Sequence, residues 1–163
     1  MADMAEDMKI DVILASGSPR RSELLAREGV PFTVRVSQAD ETLDADLLSQ
    51  PEEAAKKLAE RKARAVVEDV LNEGYEGMAM VVGADTMVVA DSTIYGKPVD
   101  EADAHRILDE LSGRAHQVIT GVSVWLVGAP AGEQDISLAF RSFAETSHVL
   151  FKALDDELIE RYI

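Results

Sequence analysis

Between Pro51 and about residue 72 the sequence carries one long helical pattern. Leu58, Ala59, Ala63, Val66, Val67 and Val70 form an apolar stripe at helical spacing, and Pro51, Glu52 and Glu53 supply a helix start. A helix with one such stripe needs an apolar surface to lie on, and its flanks read as strands. Before it, KIDVILA (9–15) is a short β-branched run and PFTVRVS (31–37) alternates. After it, residues 78–98 hold two strand-like runs, 78–82 and 86–90, followed by a turn at Asp91 and Ser92. Residues 116–128 read as a long strand, 128–135 as a turn and 137–154 as the returning strand. Shorter helices are predicted from Pro19 to Gly29, with Ser18 as N-cap, and over residues 99–113, closed by Gly113. Another starts at residue 155, with Asp155 and Asp156 as caps, and residues 39–51 read as an acidic loop. The order βαβαββαββα mixes crossovers with hairpins, which predicts an α/β fold with a mixed sheet.

Composition narrows the function classes. The chain has 163 residues, 47% of them hydrophobic, enough for one domain with a real core. Residues 1–8 are expected to be a disordered lead-in and residues 9–163 a single domain. With no cysteine, disulfides and thiolate metal sites are excluded. The formal net charge of −15 argues against a broad nucleic-acid or membrane surface, since phosphate backbones need a basic patch. A small phosphorylated ligand stays compatible, because a few local cations can hold it. The acidic N-terminus has no apolar run of signal-peptide length and no stretch is long enough to span a bilayer, so the expected location is cytoplasmic.

Against that acidic background ILASGSPRR (13–21) stands out. A strand, a small-residue turn and a helix N-terminus make an anion site, with Ser16, Gly17 and Ser18 admitting a ligand to the backbone. Arg20 and Arg21 can add forked hydrogen bonds to phosphate oxygens. The same residues would equally make an ordinary capped helix with two solvated arginines. In VVGADT (81–86), Asp85 follows an apolar strand and a Gly-Ala pair, where it could activate a water, bind a divalent cation, or cap its own turn. Lys97 in YGKP sits in a rigid turn. Lys62 lies among four basic residues at 57–64, whose plain reading is helix-surface pairing with Glu60 and Glu68. Asp40 and Glu41 read as solvated loop. His105, His116 and His148 share no metal-ligand spacing, and Trp125 reads as core or interface.

Taken in order, S-x-S-P-R-R, D-E, R-K-A, G-A-D-T, G-K-P and L-S-G-x-x-H-x-V-x-T-G-V resemble the Maf family of nucleoside triphosphate pyrophosphatases, from about residue 10 to residue 163. The resemblance implies a two-lobed α/β fold related to the inosine-triphosphate pyrophosphatases. It implies hydrolysis of a nucleoside triphosphate between its α and β phosphates, with magnesium or manganese as cofactor, and admits a homodimer. Asp85 matches the family's proton acceptor. Ser16, Arg20 and Arg21 match its phosphate-side loop, and Glu41, Lys62 and Lys97 its charged residues around phosphates and metal, with Asp85 and Glu41 as the expected metal ligands.

Arg20 and Thr86 are the expected specificity residues, and both resemble the dTTP/UTP branch rather than the one acting on 7-methyl-GTP, which has a bulky aromatic after S-P. Gly96 departs from that branch, which often has a glutamate there. The family also continues with a D-K-A-G-x-Y-G-I-Q-G-type segment whose glutamine helps select the base, so the resemblance implies a chain truncated at Ile163. The competing expectation is a nucleotide-binding regulator of cell division without turnover.

Overall fold

The computed structural model describes residues 9–132 and 135–163. The lead-in expected over residues 1–8 and part of the turn expected at 128–135 lie outside them. In chain order the elements are β1 (Ile10–Leu14), α1 (Pro19–Arg27), β2 (Thr33–Val34), α2 (Ala45–Leu48), α3 (Pro51–Asn72), β3 (Gly77–Ala90), β4 (Thr93–Tyr95), α4 (Glu101–Leu111), β5 (Ala115–Ala129), β6 (Ser137–Leu150) and α5 (Asp156–Tyr162). The strands make one six-stranded sheet in the order β2-β1-β3-β5-β6, with β4 also on β3. β1 runs parallel to β2 and β3, and the other pairings are antiparallel. This is the expected α/β fold with a mixed sheet. The long β3–β5 ladder at its centre pairs continuously from Gly77↔Ala129 to Val89↔Gln117.

That ladder corrects the expectation of two runs at 78–82 and 86–90. Gly83 and Ala84 do not break the strand. A Cβ on Gly83 would come 2.7 Å from the Ala63 nitrogen, and one on Gly121 would come 2.6 Å from the Lys56 nitrogen. The two glycines mark where the α3 backbone lies directly on the sheet. Ala55, Ala59 and Ala63 form the small-residue line that permits this approach, and all three are fully buried. On either side of it the predicted stripe fills out the core. Val66, Val67 and Val70 pack with Ile13, Val81 and Val127, and Leu58 packs with Met87, Val89 and Ile119. Each such fully buried aliphatic side chain contributes about 1.5–3 kcal/mol. Trp125 belongs to this core, stacked on Phe140 at 4.4 Å with its Nε1 donating to Ser123 Oγ.

Smaller differences have local causes. The strand expected over 31–37 pairs only at Thr33 and Val34, although Arg35 N–H still donates to the Leu14 carbonyl. Within the expected acidic loop 39–51, residues 45–48 form α2. The Asp91–Ser92 turn has positive φ at both residues, 45° and 66°, the geometry of a tight hairpin between β3 and β4. Ser18 has the extended backbone of an N-cap but makes no side-chain cap bond. Asp155 alone caps α5, accepting from Leu158 N–H, while Asp156 is the first helical residue. The three histidines lie on α4, β5 and β6, and among the described residues no group of three His, Cys, Asp or Glu could hold a metal ion.

Candidate active site

The end of β1, the start of α1, the middle of β3, one flank of α3 and the loops after β2 and β4 converge on a cleft of about 530 Å³. Ser16, Arg21, Glu41, Lys62, Asp85, Thr86 and Lys97 line it. These are all the expected site residues except Arg20. Three cations face two carboxylates there, so the lining is net positive in a chain of net charge −15. A larger hollow of about 760 Å³ lies between α4, α5 and the sheet, but its lining is mainly apolar and carries Asp100 and Glu101 with no Lys or Arg, so it is not suited to phosphates.

Asp85 is a strand residue, not the turn aspartate of the plainer sequence reading. It points to the α3 side of the sheet, directly opposite Gly121 in the ladder. With Gly83 two residues back and Gly121 opposite, two of its neighbours on that face have no side chains, and the opening is filled from α3. Lys62 Nζ lies 2.6 Å from Asp85 Oδ1 and 3.0 Å from Glu41 Oε1. The Lys62 and Asp85 side chains are each only 12% exposed, whereas Glu41 is 55% exposed. The hydrogen bond from Lys62 holds the Glu41 carboxyl below the usual glutamate range, against a smaller desolvation penalty, and the charges of Lys62, Lys97 and Arg21 act in the same direction. Lys62 is therefore no helix-surface cation. Its helical neighbours take the surface pairs: Lys57 with Glu60, and Arg64 with Glu68.

Arg21 is held by hydroxyls. Its Nη1 donates to Ser16 Oγ at 2.8 Å and its Nη2 to Thr86 Oγ1 at 3.1 Å. Burial lowers its pKa, and the charges of Asp85 and Glu41 partly oppose that shift. Neither hydroxyl neutralises the guanidinium, so its charge stays available to an anion. The buried Ser16 hydroxyl also accepts from Ser18 N–H at 3.3 Å, which fixes the turn into α1. Arg20, one position earlier on the helix, is exposed and does not line the cleft. Among the described residues its side chain makes no hydrogen bond or ion pair, so the structure separates the two arginines that sequence reading treated as a pair.

One residue of the site escaped sequence reading. Thr120 Oγ1 lies 3.0 Å from Thr86 Oγ1, across the register pair Thr86↔Thr120 of the β3–β5 ladder. A hydroxyl chain thus runs from β5 through Thr86 to Arg21. The signal was the T-G-V of the last block, where Gly121 takes the α3 face and Thr120 the opposite one.

A family model described as Maf-like protein matches residues 11–163. The dTTP/UTP pyrophosphatase of Bacillus thuringiensis subsp. konkukian (strain 97-27) is 42% identical over 152 residues, covering 93% of this chain and 70% of that protein. The dTTP/UTP pyrophosphatase of Bacillus cereus (strain ATCC 10987 / NRS 248) is 42% identical over 158 residues, covering 97% of this chain and 68% of that protein. That of Symbiobacterium thermophilum is 51% identical over 114 residues, 69% of this chain and 54% of that protein. The match spans β1 to α5 and takes in every residue that lines the cleft, and on that ground the chain belongs to the Maf family.

Proposed function

We propose that this chain hydrolyses nucleoside triphosphates, dTTP and UTP foremost, to the monophosphate and diphosphate. The observation that carries the reading is the Asp85 carboxylate, held inside a cleft whose other walls present Lys62, Lys97 and Arg21. The names of the similar dTTP/UTP pyrophosphatases support the choice of substrate.

Arg21, Lys62 and Lys97 bind and neutralise the phosphates, which is most of what phosphoanhydride cleavage requires of a protein. Asp85 orients a water and accepts its proton. The water oxygen bonds to phosphorus on one side of the α–β bridge, and the bridging oxygen leaves with the other phosphate.

A divalent cation fits the donors present. Asp85 and Glu41 offer hard carboxylate oxygens, and magnesium or manganese completes its shell with phosphate oxygens and water when a protein supplies only two such groups. Bound there, the cation would supply further neutralisation of phosphate charge. Arg20 and Thr86 select the nucleotide in this reading, Thr86 from the cleft wall and Arg20 from an exposed position on α1 next in sequence to Pro19 and Arg21, which line the cleft. A homodimer, a cytoplasmic location and the absence of nucleic-acid partners belong to the same reading.

The test is diphosphate release across a panel containing dTTP, UTP, 7-methyl-GTP and the common purine triphosphates. Turnover should be highest on dTTP and UTP, and Arg20→Ala or Thr86→Val should reorder the panel. A preference for 7-methyl-GTP would overturn the pyrimidine assignment. Nucleotide binding without turnover on any substrate would favour a nucleotide-binding regulator instead.

A further inference from the structure

Lys62 occupies the position in which a cation shared by Asp85 and Glu41 would be expected. Its ammonium touches both carboxylates, at 2.6 and 3.0 Å, and is largely shielded from water. From this geometry we infer that Lys62 is an internal counter-ion that keeps divalent metal off the Asp85–Glu41 pair until nucleotide arrives. The inference rests on the metal-dependent reading above and adds an order of binding to it.

The argument is electrostatic. A metal approaching the two carboxylates of the nucleotide-free protein must either displace the ammonium or sit beside its positive charge, and shielding from water makes both costly. Arg21 and Lys97 line the same cleft and add to the repulsion. A triphosphate reverses the balance by bringing several negative charges into reach of all three cations. The flexible lysine stem can then turn the ammonium from the carboxylates onto phosphate oxygens, leaving Asp85 and Glu41 for the metal. Coupling of this kind is reciprocal, so metal and nucleotide each strengthen binding of the other.

The test is titration of the nucleotide-free protein with Mn²⁺ alone, following loss of the free-Mn²⁺ paramagnetic resonance signal. The parent and Lys62→Arg, which keeps the charge, should bind weakly. Lys62→Gln and Lys62→Met should bind about tenfold more tightly or better, and adding Glu41→Gln to either should abolish the gain. Circular dichroism identifies which of the two neutral variants is folded, so that at least one reports. Equal Mn²⁺ affinity in the parent and a folded neutral variant would overturn the inference. So would tight Mn²⁺ binding by the nucleotide-free parent. Failure of the underlying reading shows separately, as dTTP hydrolysis by the parent that persists in excess chelator.

Discussion

Gly121 and Ala55 meet so closely that the glycine cannot be replaced without moving helix α3. A Cβ on Gly121 would run into the Ala55 carbonyl and come 2.6 Å from the Lys56 nitrogen. Backbone atoms, not the end of a flexible side chain, form the obstacle. The contact matters to function because Gly121 is the ladder partner of Asp85, and α3 is the helix that brings Lys62 to it.

Gly121→Ala should therefore cost stability and activity together. Overpacking of this kind destabilises by about 1–3 kcal/mol, and a shifted α3 moves Lys62 out of the cleft in which it would meet the phosphates. Thermal melts and diphosphate release on the same variant check both parts. Gly96→Ala serves as the comparison, since nothing lies within 4 Å of a Cβ there, and its melting temperature should stay close to the parent's.

Thr120→Val should weaken substrate binding more than turnover. It keeps the shape of the side chain but removes the hydroxyl that steadies Thr86 and, through it, Arg21. A lost neutral hydrogen bond is worth about 0.5–1.5 kcal/mol, which corresponds to a rise in KM of roughly two- to tenfold. Thr120→Ser should restore the parent value. Steady-state kinetics on dTTP separate KM from kcat, and a fall in kcat alone would place Thr120 outside this hydroxyl chain.

The Glu41–Lys62 pair predicts a small, acid-sensitive contribution to stability. The folded state lowers the Glu41 pKa, chiefly through the Lys62 hydrogen bond. A lowered carboxyl pKa stabilises the fold above the ordinary glutamate value of about 4.3 and loses that contribution as pH falls through the lowered one. The melting temperature of Glu41→Gln should therefore lie below the parent's at neutral pH and converge with it in acid. Because Glu41 is more than half exposed, the gap should also narrow with added salt.

The extent to which the sequence could be read follows from what each residue signals locally. The α3 stripe, the Pro19 helix start and the Asp91–Ser92 turn announce themselves through periodicity and turn chemistry, and all appear in the structure. Gly83 did not, because a glycine between two apolar runs looks like a break unless one knows that a helix backbone crosses above it. Lys62 was legible only through the family resemblance, not from its own surroundings in the sequence. On α3 it sits among charges that do form surface pairs, and only the fold reveals that it lies over a strand carrying Asp85. The arginine pair misled in the opposite direction, since adjacent helical residues point about 100° apart and only Arg21 faces the cleft. Thr120 stood in the T-G-V block, but its partner could not be read there, because it is set by strand register between residues 34 apart in sequence.

The central claim is that Asp85 takes the proton from the attacking water, and it is tested most directly by measuring diphosphate release from dTTP alongside nucleotide binding, in the parent and in Asp85→Asn. The asparagine keeps the shape but is not a base. Release should fall by about 10²- to 10⁴-fold while binding of dTTP persists. Hydrolysis by Asp85→Asn at the parent rate would contradict the account.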